Sequence, residues 1–267
     1  QNRLDGLKFD IGIFTNLSHD HLDYHINMKN YLNSKLYLFK HLIKKKGQII
    51  SDANIPELQK IKRISIKKDI NLSLIHNEFN GIKLISHRFE KEKQILEIKF
   101  KKIKYKIHIN LIGKIQVKNI LMALIAANKS GIKFKKILKI LPRIKPVEGR
   151  LEKIGKIDNN SKVILDYAHT PMALKLALSN LKEQFPFNKI ILIFGCGGDR
   201  DLKKRPLMGR IAEKYSNEIY LTDDNPRNEK PFKIRNEIKK GIKNKKIHEI
   251  PDRKKAIQEA VKNLKTG

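Results

Sequence analysis

An α/β fold in two parts is what these 267 residues predict. Three observations carry the expectation. Short β-rich runs alternate with segments whose apolar residues recur at helical spacing. After Arg150 the alternation becomes regular, strand then helix, as in a parallel sheet covered by helices. Three polar motifs, Asp166-Tyr-Ala-His169, Gly195-Cys-Gly-Gly-Asp-Arg200 and Asp223-Asp-Asn-Pro-Arg227, then fall in successive strand-to-helix turns, which is where parallel sheets bind ligands. The boundary between the parts is expected near Gly149, dividing the chain into residues 1–148 and 149–267.

In the first part, Phe9–Thr15 reads as a strand and is followed by a polar loop up to His25. Apolar residues at Leu32, Leu36, Phe39 and Ile43 predict a helix over Met28–Lys45. Gln48–Ser51 reads as a strand. From about Ile61 to Asn110 the pattern is β-like, with antiparallel runs at Gly81–His87, Gln94–Phe100 and Ile103–Ile109. Helices are expected over Lys118–Ser130, ended by Gly131, and over Lys133–Leu141, stopped by Pro142. In the second part, strands at Val163–Asp166, Ile190–Phe194, Glu218–Thr222 and His248–Ile250 alternate with helices. The first of these helices is capped by Thr170-Pro171.

Composition narrows the function classes. The net charge of +31 invites a nucleic-acid reading. However, the lysines are scattered and the aromatic residues do not interleave with them as a stacking surface would. A general drift toward lysine, isoleucine and asparagine explains the charge better. In so basic a chain the acidic residues are the informative ones. The single cysteine, Cys196, cannot form an internal disulfide, which suits a reducing compartment. No apolar run approaches the roughly 20 residues of a membrane helix. No signal peptide is recognised, and Gln1 running almost directly into a strand suggests a start inside a larger protein.

Four constellations carry chemistry. Asp20, His21, Asp23 and His25 crowd one loop, either as solvated turn residues or as ligands for a divalent ion such as magnesium. Lys35 lies on the first long helix among mostly apolar one-turn neighbours. Spacing favours a snorkelling side chain, but a desolvated, neutral amine able to take up carbon dioxide is the alternative. Pro146-Val-Glu-Gly-Arg150 joins the parts, either as a plain linker or as a hinge that presents a guanidinium to a phosphate. Arg200 and Arg227 stand at neighbouring strand ends with Asp224, Asn225 and Pro226, a set suited to a zwitterionic amino acid. The bland alternative is helix N-capping by the Asp and Asn residues, and both can hold together. Gly195-Cys-Gly-Gly does not match the dinucleotide fingerprint, so NAD is rejected.

Taken together, Phe14-Thr-Asn-Leu-Ser-His-Asp-His-Leu-Asp-Tyr-His25, Tyr31 to Lys35, Pro146-Val-Glu-Gly-Arg-Leu-Glu152, Asp166-Tyr-Ala-His-Thr-Pro171, Phe194-Gly-Cys-Gly-Gly-Asp-Arg-Asp201, Lys204-Arg-Pro-Leu-Met-Gly209 and Thr222-Asp-Asp-Asn-Pro-Arg227 resemble the Mur ligases, on the diaminopimelate-adding branch. The resemblance implies that residues 1–148 are the carboxyl-terminal portion of a central ATPase-type domain. Residues 149–267 would be a Rossmann-like C-terminal domain that binds the amino acid. It implies a carbamylated Lys35 which, with His21, binds magnesium. It implies Asn119, Arg150, Asp166 and His169 at ATP, with Lys35, Arg150 and His169 in catalysis. Gln1 and Arg3 would touch the UDP-muramyl substrate, and Arg200 with Asp224, Asn225, Pro226 and Arg227 would hold diaminopimelate.

The implied reaction is ATP-dependent addition of meso-diaminopimelate to UDP-N-acetylmuramoyl-L-alanyl-D-glutamate through an acyl phosphate, in peptidoglycan synthesis. A cytoplasmic monomer is expected, with small-molecule partners and neither nucleic acid nor membrane. There are departures from the family pattern. His19 stands where relatives often have arginine, and Lys114-Ile-Gln-Val-Lys-Asn119 replaces a Phe-Asn-Val-x-Asn run. No G-x-x-x-x-G-K-[ST] phosphate loop occurs, so these residues alone are expected to be inactive. A family Gly-Lys-Gly-His-Glu segment that would complete the amino-acid pocket is expected beyond Gly267. Lysine-adding or polyglutamate-forming relatives, a basic nucleic-acid binder and an inactive remnant are the competing readings.

Overall fold

The computed structural model describes residues 4, 6–17, 22–77, 81–157 and 161–264. They divide into two compact units, residues 1–145 and 146–267.

In the first unit, β1 (Phe9–Ile13) leads to a short α1 (Leu22–His25) and to α2 (Met28–Tyr37). Asn27 caps α2 by accepting the Asn30 N–H at 2.9 Å. The chain then widens into a π turn, Leu38–Leu42, and enters β2 (Ile43–Asp52). The predicted helix to Lys45 is therefore too long. Phe39 and Ile43 are buried as their spacing required, but Ile43 reaches the same apolar cluster from a strand paired with β1. A second correction follows. Leu58–Lys68 is a helix, α3, whose buried face is Ile61, Ile64 and Ser65. Its isoleucines had suggested strand, whereas the i, i+3, i+4 spacing is helical. Then come β3 (Asn71–Ile75) and the expected meander β4 (Gly81–Glu90), β5 (Lys93–Phe100) and β6 (Ile103–Ile109). They are followed by α4 (Ile115–Lys129) and α5 (Phe134–Ile140).

The six strands form one sheet in chain order, parallel from β1 to β4 and antiparallel from β4 to β6. Helices α2 and α3 cover one apolar cluster, which includes Phe14, Leu36, Ile49 and Ile61. Helices α4 and α5 cover a second, centred on Leu96, Ile98 and Leu121. This burial of apolar surface is the main force holding the sheet to its helices.

In the second unit, β7 (Glu152–Lys156) pairs antiparallel with β8 (Lys162–Leu165). Helix α6 (Pro171–Gln184) follows, with the Thr170 hydroxyl accepting from Ala173 N–H at 3.3 Å. Next come β9 (Ile191–Phe194), α7 (Lys204–Tyr215), β10 (Glu218–Leu221), α8 (Pro231–Lys239), β11 (Ile247–Glu249) and α9 (Arg253–Lys262). The parallel sheet has the order β11-β10-β9. The expected fourth parallel strand, Val163–Asp166, is instead hydrogen-bonded to β7. The connection after β7 folds β8 back along it, with Ile157 N–H donating to the Ser161 carbonyl at 3.0 Å, while Gly149 and Leu151 turn the chain just before β7 at φ of 65° and 45°. No helix among the described residues is long and apolar enough to cross a membrane.

Candidate active site

In the first unit, Lys35 projects from α2 toward the turn that follows β1. It is half-buried, and its Nζ donates to the Asn16 carbonyl at 2.9 Å. The Tyr31 and Phe14 ring centroids lie 4.9 Å and 5.9 Å away. A carbonyl and two ring faces suit a cation. An ammonium is no ligand for magnesium, so the ion fits here only if Nζ is carboxylated. His21, its expected companion, lies outside the described residues, as do Asp20, Gln1 and Arg3. Of that loop, His25 is described, and its ring stacks on Tyr31 at 4.7 Å. No group of three His, Cys, Asp or Glu residues able to hold a metal occurs among the described residues. Asn119 is exposed on α4 and donates to the Gln116 amide oxygen at 3.2 Å. The adjacent Lys118 reaches the buried Asp52 at 2.6 Å, at the carboxyl end of β2.

In the second unit residues 149–152 and the β8–α6 turn come together. Asp166 accepts the Leu151 N–H and the Ala168 N–H, both at 2.9 Å. Tyr167 N–H bonds to the Gly149 carbonyl at 2.7 Å, and Glu152 accepts the Gly149 N–H at 2.8 Å. The Arg150 guanidinium lies 4.9 Å over the Tyr167 ring, whose other neighbour is the His169 ring at 5.1 Å. Arg150, Asp166 and His169 therefore share one surface, and each oxygen of the Asp166 carboxylate accepts one backbone N–H. Arg150 and His169 present charge and a proton-bearing ring on a short, braced segment, an arrangement suited to phosphate oxygens.

At the carboxyl ends of β9 and β10, two loops are sewn together. Gly198 N–H donates to the Asn225 carbonyl at 2.8 Å, and Arg227 Nη1 donates to the Gly198 carbonyl at 2.6 Å. Side chains at Gly195 and Gly198 would collide with the Thr222 and Pro226 carbonyl oxygens. That explains the glycine run without any nucleotide. Asn225 Oδ1 accepts the Arg227 N–H at 3.2 Å, and Asp201 Oδ1 accepts the Lys203 N–H at 2.9 Å. These are side chain-to-backbone turns within the loops; the expected helix N-capping by their Asp and Asn residues is not found, because Lys203 and Lys230 occupy the N-cap positions of α7 and α8 without a side-chain bond. Arg200, Asp224 and Arg227 are exposed at this junction, with Pro226 half-buried between the last two. Asp223, in the same motif, turns away to pair with Arg235, which also binds Glu249 at 2.7 Å.

Sequence reasoning assigned no role to Arg205 and Glu229. Arg205 is wholly buried, and its two terminal nitrogens grip both oxygens of Glu229, at 2.8 and 2.7 Å. Arg205, and then the Asp199 N–H, hold the Glu229 carboxyl well below its usual range, at about 2. The available signal was the presence of Glu229 and Glu237 in a chain otherwise short of acid. Cys196 is buried, and burial pushes its thiol up to about 11 despite the nearby Lys204 and Arg205. It is a packing residue, not a nucleophile.

The profile of the Mur ligase middle domain matches residues 1–127, and that of the Mur ligase glutamate ligase domain matches residues 149–267. A UDP-N-acetylmuramoyl-L-alanyl-D-glutamate–2,6-diaminopimelate ligase from Rickettsia typhi is 38% identical over 266 residues, covering 99% of this chain and 53% of the relative. The enzyme of that name from Buchnera aphidicola subsp. Baizongia pistaciae is 41% identical over 271 residues, covering 98% of this chain and 53% of the relative. The chain thus spans about half the length of these relatives. A solved structure of a ligase of the same name superposes with a TM-score of 0.66 at 29% identity, over 99% of this chain and 54% of that one. Mycobacterium tuberculosis folylpolyglutamate synthase shares the fold, with a TM-score of 0.78 at 16% identity over 95% of this chain and 57% of that one. The chain belongs to the Mur ligase family.

Proposed function

We propose that these residues form the amino-acid-binding domain and part of the ATP-binding domain of a ligase. It joins meso-diaminopimelate to UDP-N-acetylmuramoyl-L-alanyl-D-glutamate in peptidoglycan synthesis. The observation that carries the reading is the interlocked pair of strand-end loops bearing Arg200 and Arg227. Two guanidinium groups there suit the far carboxylate of a long diamino acid, and Asp224 and Asn225 suit its ammonium group. The domains are taken as 1–148 and 149–267.

In the proposed reaction, the γ-phosphoryl of ATP passes to the glutamyl carboxylate and ADP leaves. The free amine of diaminopimelate then attacks the acyl phosphate, loses a proton and expels phosphate. Phosphoryl transfer needs positioning and charge neutralisation above all. Arg150 and His169 supply these from the braced hinge, and Asp166 and Asn119 contact the nucleotide. Gln1 and Arg3 are assigned to the UDP-muramyl substrate. Carboxylated Lys35 and His21 would hold magnesium, which neutralises phosphate charge when bound. Working on nucleotide substrates, the enzyme is placed in the cytoplasm as a monomer, without nucleic-acid or membrane partners.

The test is ligation. The chain is fused behind the N-terminal half of one of its relatives and given ATP, UDP-muramyl dipeptide and diaminopimelate. The tripeptide product, read by mass spectrometry, is expected together with stoichiometric ADP. A product formed with lysine in preference to diaminopimelate would refute the assignment.

A further inference from the structure

Arg205 has no part in the roles above, yet it is one of two charged side chains with 0% exposure among the described residues, the other being Asp52. Stability alone gives little reason to bury a guanidinium, because the desolvation cost rivals the pairing gained. Its Nε is, moreover, buried without a hydrogen-bond partner. What the burial achieves is geometric. From the first turn of α7, Nη1 reaches Glu229 and Glu237, both at 2.8 Å, while Nη2 reaches Glu229 at 2.7 Å and the Gly197 carbonyl at 3.3 Å. Glu229 in turn accepts the Asp199 N–H, and Asp199 accepts the Asn228 amide at 2.9 Å. One side chain thus ties the loop ending in Arg200 to the loop containing Arg227.

The same two loops carry unusual backbone. Asp199 and Arg227 have φ of 50° and 49°. Non-glycine residues rarely adopt that region unless their surroundings impose it. Each is next to, or is itself, a pocket arginine. The strain is held where the proposed ligand would be read.

We infer that Arg205, acting through Glu229, is the positioning residue of the amino-acid pocket. It fixes the spacing of the loops bearing Arg200 and Arg227 before any ligand arrives, and so sets the length of amino acid accepted. The inference rests on reading those loops as the pocket for the far carboxylate of diaminopimelate. Pre-organisation of this kind raises affinity by removing ordering costs from the binding step.

The test uses the 267-residue chain and the variants Arg205→Lys and Glu229→Gln, with Glu259→Gln, exposed on α9, as control. Amide exchange by NMR is read without ligand, and binding of diaminopimelate and of lysine is read by calorimetry. In both brace variants the Gly198 and Asp199 amides should exchange faster, with β9 and β10 amides unchanged and the control like wild type. Diaminopimelate affinity should fall about tenfold, equivalent to roughly 1.4 kcal/mol, and lysine affinity should not change, so the preference collapses. Retained amide protection overturns the inference, as does parallel weakening of both ligands with a lowered unfolding midpoint, the mark of a merely structural role. If Arg205→Lys does not fold, Glu229→Gln at the pocket edge decides. If wild type shows no preference for diaminopimelate, the ligand reading fails and amide exchange alone judges the brace.

Discussion

Arg227 donates from Nη1 to the carbonyl oxygen of Gly198 at 2.6 Å, across two loops that leave different strands. The guanidinium is thereby anchored at one end and oriented at the other. Lysine cannot reproduce that fork. Arg227→Lys should weaken diaminopimelate binding at least about tenfold, the value of a charge-assisted bidentate pair, and leave ATP binding unchanged. Calorimetry with each ligand checks it. Equal losses on both would show that the pocket lies elsewhere.

The turn before β7 carries a stability prediction. Asp166 satisfies two backbone N–H groups, one of them on Leu151, which is buried at positive φ. Asp166→Ala should destabilise the second unit by about 1–3 kcal/mol, the cost of orphaned buried donors. Urea unfolding followed at the second unit measures it. A loss no larger than that of an ordinary surface substitution would mean that these bonds do not hold the turn.

Glu229 gives a pH dependence. Its folded carboxyl sits at about 2, below the ordinary 4.5. A depressed folded pKa binds fewer protons in the native state, so the stabilisation is fully present above about pH 4.5 and is lost as pH falls toward 2. The unfolding free energy of wild type should therefore drop across that window more steeply than that of Glu229→Gln. Parallel pH profiles would contradict the Arg205–Glu229 account.

Lys35 is surrounded by groups that suit an ammonium. Carboxylation replaces a cation with an anion, so it should be linked to cation binding. With ¹³C-bicarbonate, a carbamate signal is expected in the presence of magnesium and not without it, and Lys35→Ala should abolish it. A magnesium-containing sample with no such signal removes Lys35 as a metal ligand.

Much of this was legible beforehand. Two of the three strand-end motifs of the second unit, those after β9 and β10, fell where parallel topology puts ligand loops, and Thr170-Pro171 opened α6 by local capping chemistry that needs no tertiary context. The errors came where tertiary pairing decided the backbone. Ile43 is buried whether helix or strand, so periodicity could not choose, and pairing with Phe9 did. Leu58–Lys68 is rich in isoleucine, and only its i, i+3, i+4 face against the sheet makes it a helix. Strand β8 was expected beside β9, but it folds back antiparallel on β7, the strand just before it in the chain. Arg205 stayed invisible because its partners, Glu229 and Glu237, lie 24 and 32 residues away. No local pattern couples such positions.

The most direct test of the account is a calorimetric titration of the unmodified chain with meso-diaminopimelate and, separately, with lysine. The two amino acids share an amine-bearing chain and differ in the far carboxylate that Arg200 and Arg227 would hold. Saturable diaminopimelate binding at least about tenfold tighter than lysine is predicted, the difference one charge-assisted pair makes. Lysine binding as tightly, or no binding of diaminopimelate, would contradict it.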